Sequence, residues 1–377
     1  MSEGSEMIVV CAGGDVIVNR DAPETVFQLC RDILRDADIT FANLESTYST
    51  RGTRTPNIRG MMRAHPRNLA ALNDAGFEVM NFANNHHMDA GPVAFFDTID
   101  ELRVRGIATC GAGATIDEAR APAVIERNGT RVAFLGYSSI LWPGYEAGES
   151  RPGCAPVRVS TRYEQVEMEQ PGTPPRVRTE AAPEDLAAMR DDVRAAREIA
   201  DVVVVSQHWG VHYAPGVIAE YESVVARAAI DAGADIILGH HQHILKPVQV
   251  YRGKVIFHGL GHLALDVDLS EHEGNPLLRE MQDQYGEFSV GRREGYPTYP
   301  YHPLARQTVI VRFRIRGGQI AGVSFIPCYI NPLGQPEVLT ACDPRFEQVT
   351  SYMESISQDA GFDTNFKRDN EEVHISV

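Results

Sequence analysis

The sequence lacks several features that define whole classes of protein. It has no run of about 18 consecutive apolar residues, the length that a membrane-spanning helix needs. It has no basic N-terminal segment leading into a long apolar core, as a secretion signal requires. Its six cysteines are scattered, without a C-x-x-C pair. We therefore expect free thiols, a cytoplasmic location and no membrane partner.

Positive charge is also scarce. The chain has 35 Lys and Arg residues against 51 Asp and Glu, a formal net charge of −16. This balance excludes a nucleic-acid partner held by bulk electrostatics, but a small anionic substrate stays compatible because a bound metal ion reverses the local field. With 43% hydrophobic residues, the composition is that of an ordinary globular protein and leaves the number of subunits open.

Short apolar runs alternate with segments of helical periodicity. The predicted strands are 7–13, 39–42, 77–82, 131–136, 201–206, 235–238 and 254–257. Strands that alternate with helices in this way indicate β-α-β units and an α/β fold with a mainly parallel or mixed sheet.

Two segments break this alternation. Residues 142–183 are rich in proline and charge, and residues 268–303 place several tyrosines among prolines. Long irregular insertions in compact domains are usually lids or binding loops. We expect a single domain over 1–377 that carries these two insertions, with strands and a tail in 304–377 completing it.

Polar side chains follow the predicted strands at the point where each strand ends. These residues are Asp15, Glu45, Asn85, His86, His208, His240, His241 and His243. The carboxyl ends of such strands share one edge of an open α/β sheet, where ligands bind. Carboxylate, amide and imidazole donors without a thiolate suit a divalent transition metal such as Mn²⁺, Fe²⁺ or Zn²⁺. The set is large enough for one or two ions.

Each residue alone also has an ordinary interpretation. Asp15 could cap a helix, Glu45 could be a solvated turn residue, and Asn85 could belong to a turn. His208 is harder to explain in this way, because it follows a run of four valines and would need a buried partner. Three histidines within four residues at a strand end are seldom structural, so the whole set favours a metal site.

Five separated motifs carry a family resemblance. They are Gly14-Asp15, Asn43-Leu44-Glu45, Ala83-Asn84-Asn85-His86 with Asp89 and Gly91, His208-Trp209-Gly210, and Gly239-His240-His241-Gln242-His243. Over about residues 7–265 the chain resembles the CapA family, named for the poly-γ-glutamate capsule biosynthesis protein and related to the calcineurin-like metallophosphatases. The resemblance implies a four-layer α/β/β/α metallophosphatase-like sandwich with a dinuclear metal site.

The resemblance also implies individual roles. Asp15 would hold the first metal, Glu45 would take the bridging position, and Asn85 with His208 would hold the second metal. The histidines at 240, 241 and 243 would be divided between the two ions. His86, steadied by Asp89, would protonate the leaving group while a hydroxide activated by the metals attacks.

Several positions depart from the family pattern. Metallophosphatases have D-x-H at the first motif, but Ile17 occupies the place of that histidine, so the first metal would be loosely held or absent. The chain also carries four further histidines near the motifs: His87, His212, His258 and His262. They are candidates for additional ligands, substrate contacts or hydrogen-bond donors to the ligands.

These observations predict a soluble metal-dependent hydrolase of a small-molecule substrate. Phosphate recognition usually places Arg or Lys beside the metals, and the motifs carry none, which favours an amide or similar carbonyl (γ-glutamyl-like) bond over a phosphoester. Basic residues occur elsewhere, at Arg51, Arg54, Arg59, Arg63 and Lys246. The alternative function is a non-catalytic binding or assembly component of poly-γ-glutamate capsule biosynthesis.

Aromatic residues in the insertions leave two interpretations open. They are Trp142, Tyr145, Tyr285 and Tyr296. They either line the pocket of an organic substrate or pack within ordinary lids.

Overall fold

The computed structural model describes residues 6–56, 58, 60–267 and 276–376. The strands are β1 (Ile8–Ile17), β2 (Ile39–Leu44), β3 (Thr47–Tyr48), β4 (Arg63–Ala64), β5 (Val79–Asn81), β6 (Ala108–Cys110), β7 (Ala112–Gly113), β8 (Ala123–Arg127), β9 (Thr130–Ser138), β10 (Gly153–Cys154), β11 (Val159–Glu164), β12 (Arg176–Ala181), β13 (Val202–His208), β14 (Ile236–His240), β15 (Val248–Tyr251), β16 (Lys254–Phe257), β17 (His262–Leu265), β18 (Gln307–Arg316), β19 (Gln319–Ile330), β20 (Pro336–Val338), β21 (Asn365–Arg368) and β22 (Val373–Ser376). The α-helices are α1 (Arg31–Arg35), α2 (Ala70–Ala75), α3 (Gly91–Val104), α4 (Ile116–Arg120), α5 (Pro183–Ile199), α6 (Glu220–Ala232), α7 (Pro276–Tyr285) and α8 (Pro344–Asp359).

The larger sheet has ten strands in the order β21-β22-β19-β18-β1-β2-β5-β6, with β17 beside β1 and β20 beside β19. Strand β1 is central. It pairs in parallel with β2 on one side, and on the other side with antiparallel β18 along its first half and parallel β17 near its end. The C-terminal strands of the chain therefore belong to the same sheet as its first strand.

The second sheet has six strands in the order β15-β16-β14-β13-β9-β8. Its four inner strands, β16, β14, β13 and β9, run parallel, while the edge strands β15 and β8 are antiparallel to their neighbours. Parallel strands buried on both faces need apolar side chains pointing both ways, which explains the run of four valines in β13.

The alternation of side chains along the strands defines four layers. In β13, Val202 and Val204 face the core between the sheets, whereas Val203 and Val205 face the helices α5 and α6. On the larger sheet, Cys11 belongs to the opposite core, which α1, α2 and α3 cover. Between the sheets, Phe41 and Phe134 stack with ring centroids 5.3 Å apart. The predicted α/β/β/α architecture is thus confirmed.

The insertions are more ordered than the sequence suggests. Residues 142–183 contain a hairpin in which β11 and β12 pair over six residues, from Val159 opposite Ala181 to Glu164 opposite Arg176. Sequence patterning misses this hairpin because most of its side chains face solvent. Of the second insertion, 268–275 lie outside the described residues and 276–285 form α7. In the described part of the chain, no helix combines the length and apolar composition needed to cross a bilayer.

Replacement of the Phe134 ring at the sheet interface should strongly destabilise the protein. Phe134 is fully buried, so we expect Phe134→Ala to lower the free energy of unfolding by about 3–5 kcal/mol, measured by urea denaturation. The control Phe96→Ala removes a ring that is 38% exposed and should lower it much less. Equal losses in the two variants would contradict the intersheet core described above.

Candidate metal centre

The predicted ligands come together where the ends of the parallel strands of both sheets meet. Asp15 lies near the end of β1, Glu45 directly follows β2, and Asn85 follows β5. His208 and His240 are the last residues of β13 and β14 and lie opposite each other in register. The side chains from the larger sheet and those from the smaller sheet thus lie together at the edge where the strands of both sheets end.

Asp15, His243 and His262 form the first of two groups of ligand atoms. One atom of each residue lies within 4.8 Å of the others, and His243 Nδ1 is 3.7 Å from Asp15 Oδ2. His262 reaches this group because β17 runs beside β1 and places it opposite Asp15. A side chain on Gly14 would collide with the carbonyl oxygen of Gly261, at 2.0 Å, so this approach of the two strands requires glycine.

Glu45, His208 and His241 form the second group, also with ligand atoms within 4.8 Å of one another. His208 Nε2 is 3.4 Å from Glu45 Oε1 and 2.6 Å from Asn85 Oδ1. The other oxygen of Glu45, Oε2, is 4.0 Å from His243 Nδ1 in the first group. Glu45 therefore lies between the two groups of ligand atoms.

Burial leaves several of these atoms without partners. Asp15 and Glu45 are both fully buried. Within the described part of the chain, neither carboxylate oxygen of Glu45 nor Nδ1 of His241 has a hydrogen-bond partner. Buried ionisable groups are normally paired or bound to a metal, because an isolated buried charge is very unfavourable. Buried carboxylate and imidazole donors without hydrogen-bond partners fit a divalent transition metal.

The protonation state of the histidines also suits metal binding. Burial lowers the pKa of His208, His241 and His243 well below the ordinary value, and it lowers the pKa of His262 to about 4. The imidazoles are therefore neutral near pH 7, which is the form that binds metals. Burial, with the charges of Asp15 and Asp89, raises the pKa of Glu45 well above its usual range. A cation beside Glu45 would reverse that effect.

The backbone at His241 and His243 is unusual. His241 and His243 both adopt left-handed conformations, with φ of 96° and 61°. Non-glycine residues in this region carry strain of about 1–3 kcal/mol, which is found mainly at functional sites. The strained turn lets both side chains return toward Asp15 and Glu45 from the end of β14.

His86 and Asp89 form a hydrogen-bonded pair beside the ligand groups. His86 Nδ1 is 2.6 Å from Asp89 Oδ2, and the backbone N–H of Met62 donates to the same oxygen at 2.8 Å. The hydroxyl of Tyr145 donates to Asp89 Oδ1 at 3.2 Å. Because Asp89 is held from three sides and accepts from Nδ1, Nε2 is the nitrogen of His86 available to exchange a proton.

The remaining predicted histidines occupy distinct places. The ring of His212 is tilted by 33° against that of His241, with centroids 4.0 Å apart, and lines the cavity above it. His240 is buried, with Nδ1 at 3.5 Å from Asp15 Oδ1. His87 has its two ring nitrogens against the carbonyl oxygens of Asn84 and Tyr145, at 2.5 and 3.0 Å, so it supports the loop that carries His86.

His258 lies apart from both groups of ligand atoms. Its Nδ1 is 3.9 Å from Glu222 Oε2 and its Nε2 is 3.3 Å from Gln249 Oε1. Lys246, also fully buried, donates to the backbone carbonyl oxygen of Ala214. These residues belong to a second buried polar cluster rather than to the metal centre.

Two residues of the site were not given roles by the sequence. Asn43 Nδ2 donates to Asp15 Oδ1 at 2.8 Å and lies 3.4 Å from His208 Nδ1, so it connects the two sheets. In the sequence, the position of Asn43 in the motif Asn43-Leu44-Glu45 was the signal that could have indicated this role. The hydroxyl of Tyr299 lies 2.6 Å from His262 Nδ1 and orients that ring. Nothing in the local sequence around Tyr299 indicates this contact.

A cavity of about 410 Å³ opens directly onto the centre. Its described lining residues are Gly60, Met62, Asn85, His86, Ile140, Leu141, Trp142, Gly210, Val211, His212, Tyr213, His241, His243, Val267, Tyr285, Val290 and Tyr301. Of the four aromatic residues singled out in the insertions, Trp142 and Tyr285 line this cavity. Tyr145 instead contacts Asp89, and the ring of Tyr296 packs under the guanidinium of Arg306.

The basic residues singled out in the sequence are used elsewhere. Arg51 pairs with Asp97, Arg54 donates to the carbonyl oxygen of Ile58 at 2.7 Å, and Arg63 donates to that of Gly52 at 3.5 Å. Arg59 lies outside the described residues.

Comparison with known proteins gives consistent relatives. A family model described as bacterial capsule synthesis protein PGA_cap matches residues 9–267. The PGA biosynthesis protein CapA of Bacillus subtilis is 30% identical over 286 residues, which are 74% of this chain and 66% of that protein. A probable polyglutamine synthesis accessory protein of Mycobacterium tuberculosis is 32% identical over 63% of this chain and 58% of that protein. The match thus spans less than two thirds of the length of each of these two relatives. The uncharacterized protein y4sH of Sinorhizobium fredii is 27% identical over 86% of this chain and 82% of that protein.

The buried Lys246 should make stability depend on alkaline pH. Burial lowers its pKa from 10.5 to about 8. Between these two values the unfolded chain binds more protons than the folded chain, so stability rises with pH. Relative to Lys246→Met, the free energy of unfolding of the wild type should increase by roughly 3 kcal/mol across this window. Urea denaturation at several pH values measures it. The exposed control Lys367→Met should follow the wild type, and parallel curves for Lys246→Met and wild type would contradict the assignment.

Proposed function

We propose that this chain, which belongs to the bacterial capsule synthesis protein family PGA_cap by a match over residues 9–267, is a metal-dependent hydrolase of a small-molecule substrate. The observation that carries this proposal is the buried Glu45 between two groups of ligand atoms, at a cavity that His86 also lines.

The chain offers a complete set of ligands for one or two ions. Asp15, His243 and His262 would hold one ion, and His262 supplies the imidazole that is missing at Ile17. Glu45, His208 and His241, with Asn85 close by, would hold the other. A bound divalent ion polarises the scissile bond as a Lewis acid and lowers the pKa of water enough for attack near neutral pH.

The chain's own residues would manage binding and proton transfer. Asp89 accepts from His86 Nδ1 and so fixes the ring with Nε2 available, in reach of a leaving group in the cavity. Asn43 would hold Asp15 and His208 in place through its side-chain amide. The buried walls around the cavity would limit the access of bulk water.

The bond that is cut is an amide or similar carbonyl bond rather than a phosphoester. None of the described residues that line the cavity is Lys or Arg, the usual partners of a phosphate group. The names of two relatives refer to PGA biosynthesis and to polyglutamine synthesis, both concerned with amide-linked products. A γ-glutamyl-type amide is therefore the first class of substrate to test.

One observation favours a second candidate function. The Mycobacterium tuberculosis relative is named an accessory protein, which does not require turnover. On this alternative the chain is a non-catalytic binding or assembly component of polymer synthesis. Metal binding without hydrolysis of any tested amide or phosphoester would favour it.

Removal of ligands from both groups should abolish metal binding. We expect purified wild type, incubated with Mn²⁺ or Zn²⁺ and desalted, to retain one or two ions per chain by elemental analysis. The double variant Asp15→Ala, His208→Ala should retain none, because each group then lacks a ligand.

A surface variant provides the matched control. Asp369, Glu372 and His374 also bring ligand atoms within 4.8 Å of one another, but Asp369 is exposed on the surface. His374→Ala should leave the metal content unchanged. A metal-free wild type would overturn the hydrolase proposal, and loss of metal in His374→Ala instead would assign the ions to the surface.

Loss of the His86 proton donor should slow turnover while metal stays bound. With γ-glutamyl-4-nitroanilide, whose leaving amine must be protonated, His86→Asn should lower kcat by about a hundredfold or more. Hydrolysis of bis(4-nitrophenyl) phosphate should fall much less, because 4-nitrophenolate leaves without a proton. The metal content of the variant should match that of wild type. His374→Asn serves as the control, and an unchanged kcat in His86→Asn would exclude this residue from the proton transfer.

A further inference from the structure

The cavity above the metal centre has a floor and walls of different chemistry. The floor is polar and includes Asn85, His86, His241 and His243. The walls are almost entirely apolar or aromatic. They include Trp142, Val211, Tyr213 and Tyr285.

The walls come from separate parts of the chain that contact one another directly above the floor. Tyr213 and Tyr285 meet edge to face, with ring centroids 5.5 Å apart. His212 lies between Tyr285 and the floor. Its ring centroid is 5.9 Å from that of Tyr285 and 4.0 Å from that of His241. A group held by these walls is therefore adjacent to the ligand atoms of the centre.

Charged side chains are absent from this lining, as far as the described residues extend. None of them is Lys, Arg, Asp or Glu. A neighbouring groove that shares only Val267 with the cavity contains Arg20, Arg67, Arg292 and Arg293. Arg293 donates to the backbone carbonyl oxygens of Glu287 and Ser289. Arg20 is itself held by Asp266, and Arg67 by Asp21. A carboxylate placed between the walls would lose its hydration without gaining a Lys or Arg partner from the described lining residues.

From this composition we propose that the substrate presents an uncharged aromatic or branched aliphatic group to the walls, next to the bond that lies over the floor. The proposal rests on the hydrolase function above for the identity of the bond, but the binding preference of the walls is independent of turnover. It excludes a stretch of poly-γ-glutamate as the group in the walls, because each residue of that polymer carries a free carboxylate.

A matched pair of amides tests the preference. γ-Glutamyl-4-nitroanilide and γ-glutamyl-3-carboxy-4-nitroanilide share the same γ-glutamyl part and differ by one carboxylate on the ring. The nitroaryl ring quenches tryptophan emission, and the chain has only two tryptophans. Trp142 lines the cavity, whereas Trp209 is fully buried against His258.

We expect the uncharged ring to quench Trp142 and to bind at least about tenfold more tightly than the carboxylated ring. Quenching should disappear in Trp142→Phe. The difference should persist after the metal has been removed with a chelator, because the wall contacts do not require an ion. Equal binding of the two probes, or tighter binding of the carboxylated one, would overturn the proposal.

A pair of charge variants sharpens the result. Val211 lines the cavity and is 39% exposed, so Val211→Lys places a cation at the walls without burying it in the core. It should reduce or reverse the preference for the uncharged ring. Val217→Lys adds the same charge at a position that is 53% exposed and outside the lining, and should leave the preference unchanged. Identical effects of the two variants would assign the preference to overall charge and contradict the proposal.

The two proposals fail in different ways. Binding with the stated preference but no release of 4-nitroaniline would leave the wall assignment intact and overturn the hydrolase. Hydrolysis of both probes at equal efficiency, releasing 4-nitroaniline from one and 3-carboxy-4-nitroaniline from the other, would support the hydrolase and overturn the wall assignment.

Discussion

Two fully buried carboxylates, Asp15 and Glu45, set the constraint on which the rest of this structure depends. Neither can be exposed to water without opening the junction of the two sheets. Each therefore needs hydrogen bonds or a positive charge nearby to compensate for its lost hydration. Asp15 obtains part of it from Asn43, which donates to Oδ1, and from the adjacent His240. Burial acts to raise the pKa of Asp15, but these contacts lower it. Glu45 lies 3.4 Å from His208 Nε2 and 4.0 Å from His243 Nδ1, yet its oxygens remain without hydrogen bonds among the described residues.

Most of the fold could be predicted because the relevant information is local. The four valines of β13 and the alternating segments around them indicate strands buried on both faces, and parallel strands bring their carboxyl ends to one edge. This rule alone places Asp15 near Glu45, and His208 near His240. The resemblance to CapA then supplied the second sheet, which no local pattern reveals, and membership of the family supports that step.

The unpredicted parts depend on contacts between distant segments. The sequence named His262 only as one of four candidate extra histidines. It lies in the group with Asp15 because β17, which begins 245 positions after Ile17 in the chain, runs beside β1. Tyr299 orients that histidine from an insertion with no detectable periodicity. The β11–β12 hairpin was missed for the opposite reason: it is local, but its exposed and polar side chains carry little of the apolar pattern from which strands are recognised.

The position of the ligand groups across two sheets has a consequence for folding. Asp15 and Glu45 belong to the larger sheet, while His208 and His241 extend from the smaller one, so the full donor set exists only when the sheets are docked. An ion bound there would act as a crosslink between the halves of the sandwich, and its binding energy would add to the cohesion of the native state. Starvation for the ion would then reduce the cellular abundance of the protein as well as empty its site.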